Sequence, residues 1–343
     1  MNIAFIMDPW ENLKPEIDSS LLLIMEALKR GHTVGITCPN NLGIRNSITL
    51  GNFKIIQKPK QLTKALSFYK NVVFKEKLLP VSGFDVVFLR ADPPIDNIML
   101  NFLDTVKDDT FIINDIDGLR KANNKLYHAS FYDPENKYIP ITHVSKNKDY
   151  LKRIIKESKN DKMILKPLNG FGGRGVIVIE KEASQNINSL LDFYIHGKEE
   201  SNYVIIQEYI EGAEKGDVRV MLLNGEPIGA MRRVPAKDDI RSNISAGGSI
   251  VKHKLSSAEK EICKKLGPRL VQDGLFLVGL DIINNKVIEI NVTSPGGIPM
   301  INKLSRSIKI QSKIIDFAEK VVNDNHSALH RKLEHRSFVS NIS

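Results

Sequence analysis

The sequence predicts an α/β protein, α+β in its later part, with an open parallel-sheet domain first and then a body of two α+β subdomains. Three observations carry this. A strand–helix–strand order opens the chain, a glycine-rich turn at 169–176 joins two strands rather than a strand and a helix, and two hairpins with Asn224-Gly225 and Asn284-Asn285 turns follow.

Residues 2–7 (NIAFIM) form an apolar run that ends at Asp8, as a buried strand does. Asp18, Ser19 and Ser20 then precede SLLLIMEALKRG, in which Leu21, Leu22, Met25 and Leu28 recur at helical spacing and Gly31 is the stop. HTVGIT at 32–37 is the next strand. Residues 40–80 hold one strand, NFKIIQ, and a basic stretch from Lys64 to Lys77. DVVFLR (85–90) and FIIND (111–115) are strands on either side of a helical IMLNFLDTVKD, which puts the end of the first domain near 118. Beyond it, ANNKLYHASF and DYLKRIIKES read as helices, and YIPITHVS, MILKPL and VIVIE as strands. YVIIQEYIEG, DVRVMLLNGEPIGAMRRV and FLVGLDIINNKVIEINV supply the remaining strands, and KIQSKIIDFAEKVV a last helix. The expected division is 1–118, 119–203, 204–322 and a terminal tail, 323–343. The tail is a short helix or a frayed end, and His326, His330 and His335 in it read as solvent-facing rather than as a metal cluster.

Composition bounds the function. The chain has 343 residues with 42% hydrophobic content, ample for buried cores. Its net charge of +9 comes from lysine spread along the chain, without an arginine-rich stripe interleaved with aromatics, so nucleic acid is not an expected partner. Cys38 and Cys263 form no CxxC and no disulfide framework, no apolar stretch is long enough to span a membrane, and Asp8 interrupts the N-terminal run too early for a secretory signal. The expected compartment is the cytoplasm. Trp10 either lines a cleft or packs. His128 and His143 lack metal-ligand partners at useful spacing, and neither cysteine has a nucleophile's setting.

Two constellations carry chemistry. NGFGGRGV, from Asn169 through Gly170, Gly172, Gly173 and Gly175, can present successive backbone N–H groups to phosphate oxygens, with Lys166 at the strand end just ahead. The dinucleotide fingerprint and the P-loop both open a helix, so neither describes it. Asp281, in VGLDII, and Glu289 with Asn291, in VIEINV, form the second set. Glu289 and Asn291 share a strand face, and the Asn284-Asn285 turn can bring Asp281 opposite. Two carboxylates and an amide oxygen are hard donors suited to Mg²⁺. Arg219, Arg233 and Arg241 surround a hairpin and a loop (234–248) whose polarity and glycines suit a lid; Arg232 should point opposite to Arg233.

These motifs together resemble the bacterial glutathione synthetases of the ATP-grasp superfamily. The likeness runs through IMDP (6–9), DSS (18–20), LRADPPID (89–96), NDIDGLRKANNKL, ILKPLNGFGG, GDVRVMLLNGEP, RSNISAGG, GLDII and EINVTSP. The resemblance implies an ATP-grasp fold with ATP between two antiparallel sheets. It implies that Lys125 and Lys166 hold phosphates, that the Asn169–Gly173 loop covers them, and that Gln207, Glu208, Tyr209 and Ile210 receive the adenine. Asp281, Glu289 and Asn291 match the magnesium set, with manganese as an alternative. Arg219, Arg233, Arg241 and Asn243 match the region that binds the peptide and the developing phosphate, and Asp18, Ser20 and Arg90 match the N-terminal side of the cleft. The implied reaction joins γ-glutamylcysteine to glycine through an acyl phosphate, in a homotetramer. One departure stands out. The family often carries Thr and Cys, or Thr and Gly, after the Ser-Pro of its terminal motif, whereas Gly296 and Gly297 follow Ser294-Pro295 here. That keeps open a related ligase with another acceptor or amino acid. The intact acidic set argues against a third reading, a catalytically silent nucleotide-binding regulator.

Overall fold

Ile3 to Met7 are fully or almost fully buried in β1 (Asn2–Met7), as a strand covered on both faces must be. The structure is a computed structural model and describes residues 1–57, 62, 64–170, 173–182, 184–196, 202–236 and 247–340. The chain groups into two units, Met1–Ile116 with Gly296–Ser343, and Asp117–Pro295.

In the first unit, β1 is followed by α1 (Ser19–Lys29), β2 (Thr33–Thr37), β3 (Leu42–Arg45), β4 (Ile48–Ile56), α2 (Ala65–Asn71), β5 (Phe74–Pro80), β6 (Val86–Arg90), α3 (Asn97–Asp104) and β7 (Phe111–Ile113). Asp18 caps α1 by accepting from Leu21 N at 2.7 Å, and Gly31 leaves the helix at φ 84°. The strands β2-β1-β6-β7 are parallel, the expected core of the domain. Residues 42–80 extend that core with antiparallel strands: β4 on β2, and β3 and β5 on β4. Lys75, Glu76, Lys77 and Leu78 of the edge strand β5 are exposed in a row, and charge on such an edge discourages further pairing. Trp10 packs: it is 7% exposed, stacks on Tyr69 and meets Phe68 and Phe74 edge-on.

The second unit begins within α4 (Ile116–Ala122), at Asp117, and goes on with α5 (Leu126–Ala129). It continues through β8 (Thr142–Ser145), α6 (Lys148–Glu157), β9 (Lys162–Pro167), β10 (Ile177–Glu180), α7 (Ser184–Ile195) and β11 (Val204–Glu208). The four strands form an antiparallel sheet in the order β10-β9-β11-β8. Leu165, Val204 and Ile206 on one face pack with Leu151 and Ile155 of α6 and Ile187, Leu191 and Ile195 of α7. The expected boundary at 203/204 falls at the start of β11, a central strand of this sheet.

A second antiparallel sheet, in the order β14-β13-β12-β15-β16, follows. It is built from β12 (Asp217–Leu223), β13 (Glu226–Val234), β14 (Ser249–Lys252), β15 (Leu277–Ile283) and β16 (Lys286–Asn291), with α8 (Ser257–Gln272) between β14 and β15. Both hairpin turns form where expected. Asn224, Gly225, Asn284 and Asn285 take φ of 49°, 80°, 43° and 63°, the pattern of two-residue turns that match strand twist. A Cβ on Gly267 would lie 2.5 Å from the carbonyl oxygen of Gly225, so glycine lets α8 seat directly on the β12–β13 turn.

The chain then rejoins the first unit through α9 (Ile298–Leu304) and α10 (Ile310–Ser340). Ile310, Ile314, Ile315, Ala318 and Val322 form the buried stripe of α10. Arg30, after α1, bonds Asp316 at 2.6 Å and Glu319 at 2.7 Å on it. From Asn323 to Arg336 every side chain is exposed, so the expected tail continues this helix, and its three histidines face solvent. Among the described residues no helix is long and apolar enough to cross a membrane.

Candidate active site

On β9 and β11 the residues alternate between two destinations. Leu165 and Ile206 turn toward α6 and α7, whereas Lys166 and Gln207 turn toward the second sheet. Between the sheets of the second unit lies a cleft of about 950 Å³, counting its open mouth. Its apolar wall comes from Ile164, Val176, Ile210, Ile283 and Ile288, a lining suited to a flat base. Its polar end holds Lys125, Lys166, Arg174, Asp217, Arg233, Asp281 and Glu289.

The second sheet presents a row of alternating charge. Register sets Arg219 opposite Asp281, Asp281 opposite Glu289, and Asp217 opposite Arg233, all pointing to one face. Arg219 grips Asp281 through Nε and through Nη2, the latter at 2.9 Å. Arg233 grips Asp217 at 2.6 and 2.7 Å and also reaches Asp281 at 2.8 Å. Burial alone would raise the Asp281 pKa, but the two guanidinium groups outweigh it and hold the carboxyl at about 2. Burial likewise opposes the Arg233 charge, and Asp281 with Asp217 more than restores it. Asn291 donates to Asp281 Oδ2 at 3.2 Å, and Glu289 pairs with Lys125 at 3.0 Å. Asp281, Glu289 and Asn291 thus lie together, each carboxylate matched to a cation. Among the described residues no group of three His, Cys, Asp or Glu side chains is placed to hold a metal.

Lys166 is 5% exposed, donates to Gln207 Oε1 at 2.9 Å, and lies 3.4 Å from the Ile288 carbonyl. Burial pushes its pKa down to about 8; Glu289 partly offsets this and Lys125 adds to it. Lys125 also donates to the Gly170 carbonyl, which ties the start of the glycine turn to α5. Gly173 and Gly175 take φ of 72° and 70°, and Tyr194 donates to Gly175 O at 2.8 Å.

The expected residues are distributed as follows. Lys125, Lys166, Gly170, Gly173, Gln207, Glu208, Tyr209, Ile210, Arg233, Asp281 and Glu289 line the cleft. Arg219 and Asn291 stand beside Asp281, and Asn169 is exposed on the turn. Gly172, Arg241 and Asn243, with most of the expected lid, lie outside the described residues. Arg232 is less buried than Arg233, in line with the strand alternation. Asp18, Ser20 and Arg90 come together in the first unit: Asp18 is the α1 cap and Arg90 Nε donates to Ser20 Oγ at 3.0 Å. Burial works against the Arg90 charge, and Asp18 and Asp92 support it. Gly297 has φ 117° and its N–H bonds Ser19 Oγ at 3.2 Å, so its lack of a side chain has a backbone reason; a Cβ on Gly296 would meet nothing within 4 Å.

Sequence reading passed over Asp217, Arg174, His128 and Thr142. Asp217 stands two residues before Arg219 in GDVRV, so the strand period places both on one face. His128 has no such signal, because its partners are distant in sequence. Cys263 is buried and its thiol is pushed up to about 12, an inert packing residue.

Two antiparallel sheets with charge and glycines converging on one cleft define an ATP-grasp protein. Solved structures agree on the fold. D-cycloserine synthetase matches with a TM-score of 0.62 at 15% identity, covering 94% of this chain and 99% of that one. A RimK-domain ATP-grasp protein from Sphaerobacter thermophilus matches with 0.58 at 14%, covering 92% and 99%. The chain belongs to the prokaryotic glutathione synthetase family: the family's N-terminal domain matches residues 1–120 and its ATP-grasp domain residues 124–306. It is 34% identical over 332 residues to the glutathione synthetase of Gloeobacter violaceus, covering 92% of this chain and 96% of that protein. It is also 34% identical over 307 residues to that of Bradyrhizobium diazoefficiens, covering 89% and 93%.

Proposed function

We propose that the chain joins γ-glutamylcysteine to glycine at the expense of ATP, giving glutathione, ADP and phosphate. It is an ATP-dependent carboxylate–amine ligase of the family above. The observation that carries the site assignment is the convergence of Lys125, Lys166 and the glycine turn on the same cleft as Asp281 and Glu289.

In this reading the adenine lies against the apolar wall beside Gln207–Ile210, and Lys125, Lys166 and the Asn169–Gly173 turn hold the phosphates. Asp281, Glu289 and Asn291 would hold magnesium, or manganese by the same chemistry. The fit is one of donor type and placement: two carboxylates and an amide, oxygen donors on one hairpin face, with Asp281 directly opposite Glu289. The bound ion supplies neutralisation of the phosphate charge. The cysteinyl carboxylate of the peptide attacks the γ-phosphorus and ADP leaves, forming an acyl phosphate. The glycine amine then attacks the acyl carbon, loses a proton and expels phosphate. Arg219, Arg233 and Arg241 act as catalytic cations toward the transferring phosphoryl group and the oxyanion. They and Asn243 are the proposed peptide-binding residues of the second unit, and Asp18, Ser20 and Arg90 those of the first. The 234–248 segment is the proposed lid, which a hydrolysable acyl phosphate requires. No protein nucleophile is needed, in keeping with the buried Cys263. The cleft lies within the unit Asp117–Pro295, whose first sheet takes β11 from beyond the expected 203/204 boundary. The protein is proposed to work in the cytoplasm as a homotetramer.

The open space at Gly296 favours one second reading, a ligase of the same chemistry with a bulkier acceptor or amine. ADP release with γ-glutamylcysteine plus glycine, set against a panel of other peptides and amines, separates the two. We expect the first pair to stimulate release most. Stimulation only by another pair would replace the substrate assignment and leave the ligase chemistry standing.

A further inference from the structure

We propose that His128, together with Thr142, is a positioning residue that locks the Gln207 side-chain amide with its carbonyl oxygen toward Lys166. The proposal rests on the reading above in one respect, that Lys166 holds a nucleotide phosphate.

Strand register brings the parts together. Gln207 of β11 lies opposite Thr142 of β8, and Lys166 of β9 lies opposite Ile205, two residues from Gln207, so Thr142, Gln207 and Lys166 share one face. His128 reaches the same point from α5 and is 1% exposed; Gln207 is 2% exposed. No bulk water reaches this amide to repair a wrong orientation.

The NH2 and oxygen ends of a glutamine amide have nearly the same shape, so sterics alone do not choose between the two orientations. The neighbours choose. Gln207 Nε2 lies 3.1 Å from His128 Nε2 and 2.8 Å from Thr142 Oγ1, while Gln207 Oε1 receives the Lys166 ammonium at 2.9 Å. Thr142 gives its own proton to the Pro140 carbonyl at 2.7 Å, which leaves its oxygen as an acceptor. The His128 ring also bonds the backbone at Lys125 in the sense that favours a ring proton, as a carbonyl acceptor does. With Nε2 turned to Gln207, that proton sits on Nδ1, and Nε2 presents a lone pair. Burial, then the charges of Lys166 and Lys125, keep the ring neutral, with a pKa of about 3. Two acceptors therefore meet the two amide N–H groups. A flipped amide would set its oxygen against both lone pairs and its NH2 against an ammonium ion.

The consequence falls on Lys166. A neutral oxygen fixes the position of its Nζ, with no direct carboxylate partner among the described residues, so the positive charge stays available to an anion. His128 touches no substrate in this scheme and acts through Gln207.

The test is MgATP affinity by titration calorimetry, with steady-state KM values for all substrates, on the full chain. We expect His128→Leu to raise the Kd for ATP about tenfold, the scale of one hydrogen bond to a charged centre, with the KM for peptide and glycine unchanged. His128→Gln, which returns an acceptor near the same place, should recover most of the affinity. In a Gln207→Met background, His128→Leu should add nothing. Thr142→Val removes the other acceptor and carries the same test if His128→Leu does not fold. Unchanged ATP affinity in both acceptor variants would overturn the proposal, as would a His128 effect that persists without Gln207. If Lys166→Met itself leaves ATP affinity intact, the phosphate assignment fails instead, and the two failures are distinguishable.

Discussion

Glu289→Gln lowers kcat/KM by about 100-fold or more and leaves the melting temperature close to that of the parent chain. The two halves of this expectation have separate causes. Glu289 sits on the edge strand β16 with its side chain 29% exposed, and it pairs with Lys125 at 3.0 Å. Glutamine has the same shape and still accepts from Lys125, so the cost to folding is within about 1 kcal/mol. What is lost is one negative oxygen donor from the proposed magnesium set. Asp281 makes a poorer probe. Its side chain is 3% exposed and faces Arg219 and Arg233, so its removal would take from buried Arg219 the carboxylate it grips and from Arg233 one of its two, at a cost of about 3–5 kcal/mol. The assay is ADP release across a magnesium titration, with thermal melts on the same preparations. Near-normal turnover would remove Glu289 from the metal set. A raised KM for ATP with unchanged magnesium dependence would reduce its role to anchoring Lys125.

Lys166→Met has effects of opposite sign on binding and on stability. In the proposed reading the buried ammonium serves a nucleotide phosphate, and without that anion its burial works against the fold. Exchanging it for a thioether of similar length weakens ATP binding by about 100-fold and raises unfolding free energy by about 1–3 kcal/mol. The sign on pH follows from the depressed pKa. Folded, Lys166 releases its proton near 8; unfolded, near 10.5. Between those values the unfolded chain holds more protons, so the parent gains stability as pH rises through this window, and the methionine variant lacks that gain. Nucleotide phosphate needs the charged form. ATP affinity of the parent should therefore fall above pH 8, with proton uptake on binding visible as a buffer-dependent heat near pH 9. Equal ATP affinity in parent and variant would contradict the assignment.

How much of this was legible in the sequence depended on the range of the interaction. Local signals held. The Asp18 cap, the two Asn-containing turns and the strand-to-strand placement of the glycines are set by residues within a few positions of one another. Strand period sufficed to put Glu289 and Asn291 on one face, but Asp281 joins them only through a register shift between Asp281 and Ile282, without which the two-residue turn would set it opposite Ile288; nothing in the sequence marks that shift. Pairing partners far apart in sequence were not legible. Nothing in VGLDII says that Arg219, 62 positions earlier, will claim Asp281, or that Arg233 will bridge Asp217 and Asp281. His128 looked idle because Gln207 lies 79 positions away. β5 reads as a basic stretch because an exposed edge strand carries charge where a buried one carries valine and isoleucine. The return of 296–343 to the first unit is set by packing between α1 and α10, not by any boundary composition.

On this account a carboxylate of the substrate, and not water, takes the γ-phosphoryl group of ATP, and an oxygen label tests it most directly. γ-Glutamylcysteine carrying ¹⁸O in its cysteinyl carboxylate, turned over with ATP and glycine in unlabelled water, should deliver one ¹⁸O to each phosphate released and retain the other in the new amide. Phosphate free of label would mean that water, not the carboxylate, takes the phosphoryl group, and would contradict the acyl phosphate route.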